Sequence, residues 1–274
     1  MESLSSMRSV LLWTLVLASV TGCGWFGLEP RVPRSGTFHF TVATYNLNND
    51  DAANPHTLDA IGLVGADIIC FQEITGLWQA SVESRYGDAY RYRLFRIDKG
   101  GGAAGLGILS RFPIRDGGWH PGPNGWHPAW HYLIDTPNGT FKILNAHLRM
   151  AIGQHGNALQ SYLRTPADHD FEIRLFMSEN TDPVPTVVVG DFNEGPNGSA
   201  LRYLEGVGFQ NALPLYHPGE ATWRYGHRIV AQFTQELDHI LFDAAFEPVD
   251  AWVVHAGASD HLPVVAHLEA VRRF

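Results

Sequence analysis

The sequence predicts an α+β domain, two packed sheets with helices on their outer faces. Three observations predict it. Short runs rich in β-branched and aromatic residues recur from residue 37 onward. Helix-like stretches are interleaved with them. The closing runs follow one another closely, as hairpin strands do.

"TFHFTVATYN" alternates and is rich in β-formers, so it reads as a strand. "HTLDAIGLVG" reads as a short helix closed by Gly65. "ADIICFQE" is apolar enough for a strand buried on both faces. "LWQASVESRYG" is a second helix, and "YRYRLF", "GLGILS", "WHYLID" and "TFKILNAHL" are strands. Residues 155–180 read as mainly helical, with Pro166 breaking the stretch. "TVVVGDFN" is a strand, and "SALRYLEGVG" is a helix ending in glycine. "ELDHILFD", "EPVDAWVVH" and "LPVVAHLE" are the closing strands. No repeat and no low-complexity segment divides the chain after residue 36, so residues 37–274 read as one domain.

The chain has 274 residues, 45% hydrophobic and 12% aromatic, and a formal charge of -9. That charge argues against a broad basic surface for polyanions. It is compatible with an enzyme whose metal ion neutralises phosphate locally. At the start, Arg8 precedes "SVLLWTLVLAS", an apolar run of signal-peptide length that is too short to span a bilayer comfortably. "SVTGC" resembles a bacterial lipobox, which makes residues 1–22 a lipoprotein signal peptide and Cys23 the lipidated first residue. The alternative is an ordinary signal peptide cleaved nearby, or a retained anchor. Residues 23–36 read as a tether rich in Gly and Pro. The expected address is a bacterial membrane, facing the periplasm or exterior. With Cys23 lipidated, Cys70 has no disulfide partner and reads as a small buried hydrophobe.

Five strands end or begin in polar clusters: "TYNLN" with Asn46, "CFQEI" with Glu73, "NAHLR" with His147, "GDFNE" with Asp191 and Asn193, and "SDHLP" with Ser259, Asp260 and His261. A sixth, "ELDHILF", carries Asp238 and His239 inside the strand. One such cluster would ordinarily be a turn or a cap. Six with this selection of side chains point to chemistry. Carboxylates and amide oxygens are ligands of hard divalent cations, and histidines transfer protons near neutral pH.

In order and type these motifs resemble the endonuclease/exonuclease/phosphatase superfamily. That group includes pancreatic-type deoxyribonucleases, apurinic endonucleases, neutral sphingomyelinases and inositol polyphosphate 5-phosphatases. The resemblance covers nearly all of residues 37–270 and implies a four-layer α/β/β/α sandwich of two packed mixed sheets flanked by helices. The site is then expected along one edge of the two sheets. By resemblance, Glu73 and Asp260 are metal ligands, and Asn46 assists the metal site and the phosphate. Asp191 orients or activates the attacking water, and Asn193 binds a phosphate oxygen. His261 is the general base or transition-state stabiliser, held by Asp238, and His147 is the second catalytic histidine. The period of two puts Asp191 and Asn193 on one side and leaves Glu194 as a bystander on the other. The implied cofactor is Mg²⁺, with Mn²⁺ as its substitute. Two departures stand out. No glutamate near "AAGLGILSR" matches the usual partner of the histidine that His147 resembles, and no basic or intercalating segment of the apurinic type is recognisable.

Three Trp-His pairs, Trp119/His120, Trp126/His127 and Trp130/His131, read either as an aromatic lip for a base, sugar or lipid, or as a Gly/Pro-rich hairpin covering an edge of the core. No cysteine or carboxylate pattern accompanies them, which disfavours zinc. Arg91, Arg93, Arg96 and Lys99 read as a solvated face or a phosphate-facing patch. Arg149, His155 and Trp223, with Thr222 beside it, are substrate-side candidates. The expected protein is a monomeric phosphodiesterase, acting on nucleic acid, DNA first, with a sphingomyelinase-like phospholipid activity as the alternative. A catalytically silent scaffold would be expected to have lost some of the acids or histidines, and each is present.

Overall fold

The computed structural model describes residues 27–51, 53–97, 103–123, 127–150, 158–178, 184–225 and 233–274. The signal peptide, Cys23, Lys99, Trp126 and His155 lie outside the described residues. In chain order the elements are β1 (His39–Asn46), α1 (Pro55–Val64), β2 (Ile68–Gln72), α2 (Gly76–Tyr86), β3 (Tyr92–Arg96) and β4 (Leu106–Ser110). They continue with β5 (Ile114–His120), β6 (Ala129–Thr136), β7 (Gly139–His147), α3 (Ala158–Ser178), β8 (Thr186–Asp191), α4 (Ser199–Gly206) and β9 (Gln210–Asn211). The last are α5 (Ala212–Tyr216), β10 (Trp223–Tyr225), β11 (Phe233–Gln235), β12 (Asp238–Phe242), β13 (Phe246–Val253) and β14 (Val264–Ala270).

Two six-stranded sheets form the centre, in the orders β13-β14-β1-β2-β4-β3 and β5-β6-β7-β8-β12-β9. Both are mixed, because β1 and β2 run parallel, as do β7 and β8. Alternation sorts the side chains. Phe40 and Val42 of β1 face the second sheet and meet Phe141, Ile143, Val187 and Val189. Ala43 and Tyr45 face the other way, onto Ile61 of α1 and Trp78 and Val82 of α2. On the far side, Leu144 and Val188 pack with Ile173 and Phe176 of α3 and Leu201 and Leu204 of α4. These three cores make the four layers of the expected sandwich.

Local signals explain the helix ends. Asn54 accepts from the His56 amide ahead of α1, and Gly65 closes that helix at φ 59. Thr75 caps α2 through the Trp78 amide. α3 differs from expectation, since it runs through Pro166 without a break. Tertiary contacts hold it: Ile173 and Phe176 are fully buried, and the Ser199 hydroxyl donates to the Pro166 carbonyl. The short elements β5, β9, α5, β10 and β11 were not anticipated. Four of them span two to five residues, too few to show a period.

A polar link crosses between the sheets. Gln72 donates to Asn145 Oδ1 at 2.7 Å, and Asn145 donates to the Phe71 carbonyl at 3.1 Å. Both side chains are fully buried. Such a link fixes the register of one sheet over the other, because slipping it would strand buried amides. At one edge, Arg96 of β3 lies 4.4 Å over the Trp119 ring of β5. Trp119 in turn meets Trp130 edge-on across the β5–β6 hairpin. Trp119 and Trp130 therefore serve the core edge.

Residues 27–36 lie along the opposite edge. Leu28 donates its amide to the Leu215 carbonyl at 2.6 Å, and Arg31 to the Val249 carbonyl at 3.0 Å. Arg31, Arg34 and Thr37 all donate to Glu269, whose side chain is fully buried. Burial alone would raise the Glu269 carboxyl, but these donors hold it down at about 2. Its stabilisation is thus complete above the ordinary value near ~4.3 and is lost as the pH falls through about 2. Glu269→Gln is expected to lower the Tm at pH 7 by on the order of 5 °C. In thermal melts the difference from wild type should shrink as the pH falls from 5 toward 2; a pH-independent difference would show that the charge is not what matters.

Candidate active site

The strand register assembles the site. His147 pairs with Asp191 across β7 and β8, and Asp191 pairs with Asp238 across β8 and β12. Asn46 pairs with Gln72 across β1 and β2, one residue before Glu73. Asp260 and His261 precede β14. The carboxyl ends of β1, β2, β7 and β8 thus deliver their polar residues to one sheet edge. Close backbone approach makes this geometry available. Gly190 sits at φ 151, where a Cβ would lie 1.8 Å from the Ala146 carbonyl oxygen. Glu73 and Asn193 adopt left-handed φ values of 57 and 50, uncommon for side-chain-bearing residues.

Asp191 Oδ2 is the meeting point. Asn46 donates to it at 2.9 Å, His261 Nε2 lies 3.5 Å away and His147 Nε2 3.6 Å away. His261 Nδ1 donates to Asp238 at 2.9 Å, and the Thr222 hydroxyl donates to the same carboxylate at 2.6 Å. Burial opposes the charge on His261, yet Asp238 and Asp191 hold its pKa up at about 10. Burial also opposes the charge on Asp191, but His261 and His147 keep it below the usual carboxylate range. Burial lowers His147. At neutral pH the pocket therefore holds an anionic Asp191 beside a cationic His261.

Asn46 Oδ1 accepts from the Asn48 amide at 3.0 Å, which turns its NH₂ toward the site. That NH₂ reaches both Asp191 and, at 3.1 Å, Glu73. Asn46 is a tie between two carboxylates in this geometry and presents nitrogen to the site. Glu73 also accepts from the Asn49 amide at 3.0 Å, and burial pushes its carboxyl up. Asp260 accepts from Asn48 at 2.8 Å and from Trp223 Nε1 at 3.0 Å. Glu73, Asp191 and Asp260 open with His127, His147 and His261 onto one cavity of about 340 Å³. Among the described residues, Asp191, Asp238 and His261 have donor atoms within 4.8 Å of one another. Asp238, however, is fully buried and bonded to His261 and Thr222. The carboxylates that face the cavity, Glu73, Asp260 and Asp191, are the hard-oxygen set that fits Mg²⁺ or Mn²⁺.

Asn193 donates its amide to Leu148 O at 2.9 Å and its backbone N–H to Asp191 Oδ1 at 2.9 Å, and it lines the cavity. Arg149 is committed to α3, with Nε 2.6 Å from Glu172 and Nη1 3.3 Å from Asp168, so it serves as a structural pin. Glu194 points away from the site, although the strand ends at Asp191 and Asn193 is left-handed, so no strand period sets its direction; it is no bystander. It accepts the amides of Ser199, Ala200 and Leu201 at the start of α4 and the ring of His169 at 2.9 Å. His169 also donates to the Arg149 carbonyl, and this doubly bonded ring has a raised pKa despite burial, because of Glu194.

Sequence reasoning did not find the roles of Asn48, which holds Asp260, or of Thr222, which accepts the Leu237 and Asp238 amides while donating to Asp238. Asn48 carried a signal, since it sits two residues after Asn46 and adopts φ 59, a conformation asparagine favours. Tyr225 was also missed; it is 68% exposed beside the cavity and stacks on Trp223. Thr222→Val is expected to strand two buried amides and to remove one of the two donors to Asp238 Oδ2, costing about 1–3 kcal/mol in urea unfolding. An unchanged midpoint would refute the bonding assigned to Thr222.

Comparison with known proteins follows the same outline. No curated protein sequence matches the chain. An endonuclease/exonuclease/phosphatase from Beutenbergia cavernae superposes with a TM-score of 0.66 at 20% identity, covering 85% of this chain and 72% of the other. D. rerio TDP2, complexed with a single-strand DNA product, gives 0.63 at 12% identity, with 84% and 98% covered. The human Nocturnin catalytic domain with bound sulfate gives 0.60 at 17%, with 89% and 96% covered. These likenesses show the fold. The model of the Endonuclease/Exonuclease/phosphatase family matches residues 43–261, most of the chain. The chain belongs to that family, whose members hydrolyse phosphoester bonds with divalent metals.

Proposed function

We propose that this protein is a Mg²⁺-dependent phosphodiesterase, a nuclease acting on DNA outside the cytoplasm. The observation that carries this reading is the convergence of Asn46, His147 and His261 on Asp191 Oδ2 beside Glu73 and Asp260. A water bound to that oxygen would lie between two imidazoles and could be aimed at a phosphorus atom held in the cavity. Asp238 fixes the orientation of His261, whose charge faces the phosphoryl oxygens as negative charge builds on them. Glu73 and Asp260, with Asp191, would hold the divalent cation, which polarises the phosphate and supports the leaving oxygen when bound.

Two observations favour nucleic acid. Tyr225, stacked on Trp223 at 5.8 Å, offers an exposed aromatic face at the mouth of the cavity, and base stacking on such a face tolerates any sequence. The D. rerio TDP2 structure, of the same fold, was obtained with a single-strand DNA product. A phospholipid is the second reading, favoured by Met150, which is 51% exposed and joins Tyr225 at the cavity. The lipobox sequence ending in Cys23 supports export and a lipid anchor. No helix of the described residues is long and apolar enough to cross a membrane.

A substrate panel with EDTA controls tests these readings. Plasmid and single-stranded DNA, RNA, and vesicles of sphingomyelin or phosphoinositide are offered with Mg²⁺ or Mn²⁺. DNA cleavage abolished by EDTA is expected. Lipid cleavage without DNA cleavage would transfer the assignment to the second reading. No hydrolysis of any of these, nor of bis-p-nitrophenyl phosphate, would sink the hydrolase assignment. Glu73→Ala and His261→Ala should each lower kcat on the order of 10²–10⁴-fold, and unchanged activity in both would overturn the site. Tyr225→Ala should raise KM for single-stranded DNA on the order of 10-fold with little change in kcat. Mass spectrometry of the mature N-terminus tests lipidation of Cys23.

A further inference from the structure

We propose that His127 is a positioning residue of the active site, a stacked ring that holds the imidazole of His147 in its working orientation. The inference rests on the hydrolase reading given above. Four of the site's ionisable side chains are oriented by side-chain hydrogen bonds: His261 by Asp238, Asp238 by Thr222, Asp260 by Asn48 and Trp223, and Glu73 by Asn46. His147 has weaker support. Its Nδ1 meets the Ala103 carbonyl at 3.3 Å, the long end of the hydrogen-bond range, and its Nε2 faces Asp191 at 3.6 Å. Among the described residues, no carboxylate bonds its Nδ1 as Asp238 bonds that of His261.

What His147 does have is a ring against its face. The imidazoles of His127 and His147 lie 3.9 Å apart between centroids and only 11° from parallel. The backbone builds this arrangement. His127 precedes Pro128, which confines it to extended conformations. The Pro128 carbonyl accepts from the His147 amide at 3.3 Å, tying the two segments together. His127 also lines the cavity with Asp191 and Asp260. A plane stacked on one face and a carbonyl at Nδ1 together restrict both torsions of His147, so Nε2 stays aimed at Asp191 Oδ2. Removing the plane leaves, among the described residues, one long hydrogen bond to hold the ring against turning.

The test compares His127→Ala with His127→Phe in the full chain, using Mg²⁺ and bis-p-nitrophenyl phosphate. Phenylalanine keeps a flat ring and loses both nitrogens. H127A is expected to lower kcat about 10- to 100-fold with KM within about twofold, because an imidazole is misdirected while the cavity persists. H127F is expected to recover most of that loss. NMR of the His147 ring supplies the second readout. Its C–H resonances should be ring-current shifted in wild type and H127F, and should lose that shift in H127A. Wild-type kcat in H127A would overturn the proposal. So would a raised KM with unchanged kcat, which would make His127 a substrate contact. An H127F as impaired as H127A, with an unchanged far-UV spectrum, would mean that the nitrogens matter and the stack does not. If wild type hydrolyses no phosphodiester, the hydrolase reading fails, and the ring-current shift alone decides whether His127 fixes His147.

Discussion

A buried carboxylate oxygen, Asp191 Oδ2, sets the terms for the rest of the molecule. An anion that is 1% exposed must be compensated by donors and opposite charge. Its partners come from both sheets: Asn46 at the end of β1, His261 just before β14, and His147 at the end of β7. The contacts with Asn46 and His261, which come from the other sheet, would not survive a slip of one sheet over the other. The Gln72–Asn145 link, a few residues back from the site on β2 and β7, opposes that slip. Gly190 lets β8 lie close enough to β7 for His147 and Asp191 to be neighbours. The sandwich is therefore both the scaffold of the site and a structure whose alignment the site reports.

The supporting groups show a division of labour along the chain. Within "GDFNEG", Asp191 and Asn193 face the cavity and Glu194 faces α4, where it caps the helix and pairs with His169. The loop after β7 is held by the same contacts, since His169 and Glu172 both grip Arg149. These six residues, the last two of β8 and the four that follow, thus fix the site edge of β8 and the outer helical layer together. A substitution at Glu194 would be felt at the site through Asn193, although Glu194 touches no part of the cavity.

Much of this was legible in the sequence. The long strands announced themselves by apolar runs, and α1 by its glycine stop. The polar residues at strand ends were found because a buried strand has no structural use for a terminal Glu73 or Asp191. The remainder was hidden for physical reasons. Arg149 lies two residues after His147 and carries the charge a phosphate would want, yet α3 supplies Glu172 and Asp168 to it, and tertiary pairing of that kind leaves no local pattern. Pro166 broke a propensity rule that packing of Ile173 and Phe176 overrode. The Trp-His repeats looked like one motif, but strand alternation divides them. Trp119 and Trp130 face the inter-sheet core, His120 and His131 pack toward Phe176, and His127 enters the site.

The electrostatics of the cavity suit the divalent cation that the family uses. Glu73, Asp191 and Asp260 line it, and His261 is the cation facing them, with Asp238 behind neutralising part of its charge. Like charges 4 Å apart repel by about 4 kcal/mol at an effective dielectric near 20. A phosphodiester entering this cavity would meet more repulsion than attraction, and the chain's net charge of -9 adds to that repulsion. Asn46 and Trp223 relieve the carboxylates with neutral donors only. The same arrangement that repels a bare phosphate is a hard-oxygen cradle for a divalent ion, and with that charge added the balance reverses. The acidity that argued against a nucleic-acid-binding surface is thus compatible with a phosphodiesterase, provided recognition of the phosphate is local to the site.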